Sequence, residues 1–267
     1  MKKNLILTYH KIFRENDSVN QSLADQYSVS EADFESQIRI IREKNIEVVS
    51  LENLFEGKVE GDFSVALTFD DGNASDYEIV FPILKKFNIP ATFFISIGNL
   101  ENGKLVDGKL VELSENKLIG IGSHGLTHRD MRTLTEAEVR KELSESKEHL
   151  RNILHKPVDF FALPYGSGDS GIYKLCNECG YKAIFTTRKL FNPVGSGTFL
   201  FNRWTIKAGM SERRYNSLLQ PDSFLLLWMQ LFDVIINPLR RYLGVSREHR
   251  LLNTIQKLKY SLARNKA

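Results

Sequence analysis

The chain has 267 residues, 42% hydrophobic and 26% charged, which excludes a disordered polymer and allows one large core. Its net charge of +3 is unevenly placed: residues 238–267 carry eight Lys/Arg against one acid, net +7, and the remainder is net −4. Two cysteines are too few for a disulfide framework, and no apolar run reaches the roughly 18 residues of a spanning helix. The N-terminus lacks a signal-peptide core, so a cytoplasmic location is expected.

Short apolar runs, rich in β-branched and aromatic residues, predict strands at 4–9, 47–50, 65–69, 91–97, 118–124, 160–164, 182–186 and 201–206. Their hydrophobicity is continuous, not alternating, as in strands buried on both faces. Helices fall between them. Over 33–45, Phe34, Ile38 and Ile41 recur at helical spacing behind a cap near Ser30, and 76–87 form another helix, stopped by Pro90. Thr135 and Glu138 make a capping box that opens a helix to Leu154, with Val139, Leu143, Leu150 and Leu154 on one face. A helix over 172–179 ends at Gly180, and its Cys176 and Cys179 read as packing residues without redox context. Strand alternating with helix means an α/β fold on a parallel sheet, either a barrel or a doubly wound sheet.

Residues 224–237 stand apart. Eleven of the fourteen are apolar, and Gln230, Asp233 and Asn237 form a narrow polar stripe. Such a helix either packs on the main domain or contacts a partner or lipid, and the +7 tail after it suits an anionic surface. The chain therefore divides into a main domain, 1–215, and a helical, basic extension, 216–267.

The residues with chemical potential cluster at predicted strand ends. Asp70 and Asp71 end the 65–69 run, and Gly72 turns the chain at once. Adjacent carboxylates are costly unless a metal takes one and leaves the other as a base; the plainer alternative is a turn before a helix cap. His124 and His128, four apart beyond the 118–124 strand, have metal-ligand spacing. Two His and one Asp form a ligand set that leaves coordination positions open.

Thr68-Phe69-Asp70-Asp71-Gly72, His124-Gly125-Leu126-Thr127-His128 and Phe161-Ala162-Leu163-Pro164-Tyr165-Gly166 resemble the three leading motifs of the NodB-homology polysaccharide deacetylases, carbohydrate esterase family four. The resemblance runs from Leu5 to about Ile206. It implies an irregular (β/α)7 barrel, Asp71, His124 and His128 as ligands of one divalent metal, Asp70 as general base, and the Tyr165 backbone N–H as oxyanion donor. The metal implied is zinc first, with Mn, Co, Fe or Ni as alternatives.

Two departures stand out. Ala162 sits where the family often has an Arg that steadies the base, and no late Leu-His motif follows Tyr165. Lys182 and Arg203 are candidate replacements for that Arg, and Trp204 is a candidate wall for an acetyl pocket. Leu7-Thr8-Tyr9-His10 resembles the opening of the poly-N-acetylglucosamine deacetylase subgroup, in which the early His serves as general acid.

The expected function is de-N-acetylation of an N-acetylhexosamine in a surface glycan or a lipid-linked precursor. The expected setting is the inner membrane face, with peripheral contact through 224–267 and no nucleic-acid partner. O-deacetylation, amide hydrolysis on a non-polymer substrate and non-catalytic glycan binding are the alternatives.

Overall fold

In the computed structural model of the chain, residues 2–15, 25–101, 105, 107–194 and 197–222 are described. The chain divides into two compact units, 1–221 and 222–267. The predicted helix at 224–237 and the basic tail lie outside the described residues.

The first unit is built on one sheet. Its strands are β1 (Lys3–Tyr9), β4 (Glu47–Val48), β5 (Phe63–Asp71), β6 (Ala91–Ile95), β7 (Ile119–Ser123), β8 (Phe160–Ala162), β9 (Ala183–Phe185), β10 (Asn192–Pro193), β11 (Leu200–Phe201) and β12 (Arg203–Thr205). Strands β1, β5, β6, β7, β8 and β9 run side by side and parallel. Closure comes from β11 and β12, separated by Asn202 alone: β11 pairs with β9, and β12 pairs with β1, both parallel. Counting β11 and β12 as one broken strand, the sheet is a nearly closed seven-stranded barrel, as the motif resemblance implied. The predicted strand at 91–97 stops at Ile95, because Ile97 opens a short helix. A separate pair, β2 (Lys11–Phe13) with β3 (Ser28–Ser30), was not expected from the sequence.

Helices cover the outside: α1 (Glu31–Glu43), α2 (Leu51–Glu56), α3 (Phe81–Phe87), α4 (Ile97–Glu101), α5 (Asp107–Glu115), α6 (Glu136–Leu154), α7 (Ser170–Glu178) and α8 (Glu212–Leu218). Two sequence cues appear as hydrogen bonds. Ser30 accepts from Asp33 N at the start of α1, and Thr135 and Glu138 form the capping box of α6. The helix expected at 76–87 begins as a π-helical turn, Asp76–Val80, before α3.

Side-chain alternation along a strand sorts residues between two faces. On β1, β5 and β6, Tyr9, Phe69 and Phe93 face outward; the first two meet Phe34 of α1, and Phe69 stacks on both Tyr9 and Phe93 at ring distances of 5.3 and 5.0 Å. On the other face, Ile6, Ala66, Phe94, Phe160, Ala183, Phe185 and Phe201 fill the barrel interior. In β5 the inward series runs Ala66, Thr68, Asp70. A carboxylate therefore tops an apolar plug at the carboxyl end of the barrel, where parallel α/β barrels place their sites.

Candidate metal and catalytic site

Asp70 is 2% exposed, and an unpaired carboxylate at that depth would be strongly destabilising. Its partner is Arg203 of β12, itself fully buried, which donates from Nη1 to Oδ1 at 2.7 Å and from Nη2 to Oδ2 at 2.9 Å. This two-pronged geometry is the strong form of a guanidinium–carboxylate contact. Arg203 also donates to Thr68 Oγ1 and to the Thr186 carbonyl, and its guanidinium lies 5.1 Å from the Phe94 ring centre. Burial pushes the Asp70 carboxyl up, but Arg203, with His124 and His10, outweighs it and holds the group below its ordinary value. Asp70 is thus ionised at neutral pH and fixed in orientation. Of the two candidate cations, Arg203 fills the place of the absent motif Arg. Lys182 instead pairs with Asp159 at 2.7 Å, with its side chain largely exposed.

Asp71 would point away from Asp70 if β5 simply continued. Its φ of +83° breaks the alternation and swings the carboxylate toward the histidines. Asp71 Oδ1 lies 3.7 Å from His124 Nε2 and 3.1 Å from His128 Nε2. The second approach is within ion-pair reach but not aligned as a hydrogen bond, so Oδ1 is a buried oxygen without a hydrogen-bond partner. Burial pushes this carboxyl up, yet His128, His124 and His10 together hold it well below the usual carboxylate range.

His124, 2% exposed, follows β7 and is anchored by its ring: Nδ1 lies 2.8 Å from the Ala162 carbonyl. A carbonyl can only accept, so Nδ1 carries the proton and the Nε2 lone pair faces Asp71. Burial pulls His124 below the ordinary imidazole range against the attraction of Asp70 and Asp71, which keeps the ring neutral at neutral pH. A neutral imidazole locked through its other nitrogen is the usual form of a metal-ligating His.

One donor atom each from Asp71, His124 and His128 lies within 4.8 Å of the other two, the only such cluster of three acidic, His or Cys residues among the described residues. The orphaned Asp71 oxygen and the bare His124 nitrogen fit a divalent cation bound by two His and one carboxylate.

A cavity of about 340 Å³ opens over this cluster and brings together all six sequence-predicted site residues, His10, Asp70, Asp71, His124, His128 and Tyr165. His10 sits beyond β1 with its ring 5.0 Å from that of Tyr27, and Tyr165 stands 5.3 Å from His128. Tyr165, 63% exposed with φ +60°, is held on a tight turn where Gly166 N–H donates to the Leu163 carbonyl at 2.8 Å. Of six non-glycine residues with positive φ among the described residues, three are Asp71, His128 and Tyr165, and the others, Asn45, Asn88 and His155, follow helix ends. Strained backbone thus gathers at the site.

Trp204, expected at an acetyl wall, is 3% exposed and does not line the cavity; Leu163 supplies an apolar lining residue instead. Cys176 is buried on α7, which pushes its thiol up and leaves it unreactive, as a packing residue should be. Two contributors escaped the sequence reading. Tyr27 joins the cavity wall from a loop with no helical or strand pattern. Glu142 projects from α6 and is 4% exposed; its signal was an acid on the apolar stripe between Val139 and Leu143.

Comparison with known proteins bears on family and fold. The family profile described as "Polysaccharide deacetylase" matches residues 57–184. The chain is 30% identical over 208 residues to a poly-beta-1,6-N-acetyl-D-glucosamine N-deacetylase of Staphylococcus aureus (strain MRSA252), spanning 68% of this chain and 71% of that relative. Among solved structures, the Streptococcus pyogenes deacetylase PplD in complex with acetate has a TM-score of 0.72 at 24% identity, over 82% of this chain and 99% of that one. IcaB from Ammonifex degensii has a TM-score of 0.68 at 22% identity, over 86% and 98%. The two structures share the fold, and the sequence relationship carries the assignment: this chain belongs to the polysaccharide deacetylase family.

Proposed function

We propose that this chain hydrolyses the N-acetyl group of N-acetylhexosamine units in a surface polysaccharide or its membrane-proximal precursor, using a divalent metal held by Asp71, His124 and His128. One observation carries the reading: an ionised Asp70, fixed by Arg203, stands beside a three-donor metal cluster at the floor of an open cavity. The resemblance of the opening Tyr9-His10 to the poly-N-acetylglucosamine subgroup and the activity named for the Staphylococcus aureus relative support the sugar class.

Amide hydrolysis needs a nucleophilic water, a stabilised oxyanion and a proton for the amine that leaves. A divalent ion held by Asp71, His124 and His128 would supply Lewis-acid polarisation of the acetyl carbonyl and a more acidic water. Asp70 takes the proton of the attacking water. Its bond to Arg203 gives up basicity for a fixed orientation, and its position at the barrel mouth sets the direction of attack. The Tyr165 backbone N–H donates to the carbonyl oxygen as charge develops there, on a turn held in place before substrate arrives. His10, on the same cavity, delivers a proton to the departing amine; its buried Nδ1 has no hydrogen-bond partner, so ring packing against Tyr27 holds it. Leu163 offers the acetyl methyl an apolar surface.

The test is acetate release from β-1,6-linked N-acetylglucosamine oligomers. The D70N and H10A variants should each keep the metal and lose roughly 10²- to 10⁴-fold in kcat, the usual contribution of a general base or acid. Wild-type rates in D70N would remove the base assignment, and wild-type rates in H10A would place the acid elsewhere.

A further inference from the structure

His124 and His128 can share a metal only if the five-residue turn joining them keeps both imidazoles on one side. Nothing in its sequence enforces that. Gly125 has φ +87° and His128 φ +57°, the second disfavoured for a residue with a side chain. The turn is held from outside on two sides. From one side, Ile97 N–H and Gly98 N–H, at the start of α4, donate to the carbonyls of Gly125 and Leu126 at 3.1 and 2.7 Å. From the other, Glu142 of α6 accepts through one oxygen from Leu126 N–H at 2.8 Å and Thr127 N–H at 2.9 Å, and through the other from the Thr127 hydroxyl.

Glu142 is nearly inaccessible, and each contact it makes in this network goes to the turn between the two histidines. Gly125 is fitted to it: a Cβ there would lie 3.2 Å from Glu142 Oε2. A buried carboxylate is an expensive way to pack a helix, and an apolar residue would fill that stripe at lower cost. Three donors on one turn offset that cost, and the turn they fix carries two of the three proposed metal ligands.

We infer that Glu142 is a positioning residue for the metal site, setting the approach of His128 relative to His124 through the backbone between them. This rests on the metal reading above. It extends the ligand shell to a helix that touches neither metal nor substrate, in the way outer partners generally orient first ligands.

Zinc titration of the metal-free full chain tests it, alongside thermal melting of the same metal-free samples. Wild type should take one zinc. E142A should bind it about 10- to 100-fold more weakly, the typical effect of losing an outer partner. E142Q should recover much of the affinity, since its amide oxygen still accepts from both N–H groups and its NH₂ can donate to Thr127. A merely structural Glu142 would lower the melting temperature of metal-free E142A and leave the zinc affinity of the folded protein unchanged, which overturns the inference. If E142A does not fold, E142D decides, because it keeps the charge and withdraws the carboxylate from the turn by one methylene: weaker zinc binding supports the inference, and wild-type affinity overturns it. A wild-type chain that takes no zinc defeats the metal reading itself, a result distinct from equal binding by wild type and E142A.

Discussion

Arg203 and Asp70 are 133 positions apart in sequence, yet each is the other's main electrostatic partner. Removing one member of such a buried pair leaves the other charge uncompensated, so R203M should lose about 3–5 kcal/mol of stability in denaturant titration. R203K keeps the charge but not the planar fork, and should fall between the two. The pH dependence has a definite sign. Asp70 has a folded-state pKa below its unfolded value of about 3.9, so its contribution is fully present above about pH 4. It is lost as pH falls through the lower folded value. The stability gap between wild type and R203M should therefore be widest where Asp70 is ionised in both proteins and should narrow as pH falls, the more so because burial without Arg203 pushes the carboxyl of the variant up; a gap that closed as pH rose would contradict the pairing. Adjacent acids, paired histidines, an early Tyr-His and a Pro-Tyr-Gly motif named the six candidate residues from sequence. Arg203 was harder to read, because a lone Arg in a late strand acquires meaning only when β12 closes against β1.

At the scale of elements, the helices were the most legible. Ser30 and the Thr135 capping box marked two starts correctly, because a cap is a local hydrogen bond written within four residues. Short pieces such as α2 and α5 and the pair of β2 with β3 were missed, since their pairing or burial depends on distant chain. The glycines of β7 belong to the same category. Gly122 lies opposite Phe94, and a Cβ on it would sit 2.5 Å from that ring, which in turn lies beneath Arg203. G122A should therefore push on the aromatic plug and, through it, on the ion pair. Overpacking of this kind costs about 1–3 kcal/mol, a fall of roughly 2–4 °C in Tm per kcal/mol for a domain of this size. An unchanged melting temperature would show that the interior has slack under Asp70.

For the whole molecule, the barrel follows from one repeated rule: parallel strands, apolar on both faces, ending in polar residues on the same side. That made the fold class readable, while closure by a strand broken at Asn202 was not, because its two halves pair with opposite ends of the sheet. No helix among the described residues is long and apolar enough to cross a membrane. We propose that the apolar stripe within 224–237 and the +7 tail bring the site to an anionic surface, where each basic residue adds about 1 kcal/mol. The full chain should co-sediment with anionic liposomes at low salt, and a chain cut after Ser223 should not. A full chain that stays in the supernatant would assign the stripe to protein contacts instead.

We propose that Asp71, His124 and His128 hold a metal that hydrolysis of the N-acetyl group requires. The most direct measurement is acetate release from an N-acetylated glucosamine oligomer by wild-type protein before chelation, after chelation, and after return of one equivalent of zinc. Activity, its loss and its recovery are expected in turn, with no recovery in H124A. Full acetate release by the thoroughly chelated protein would contradict it.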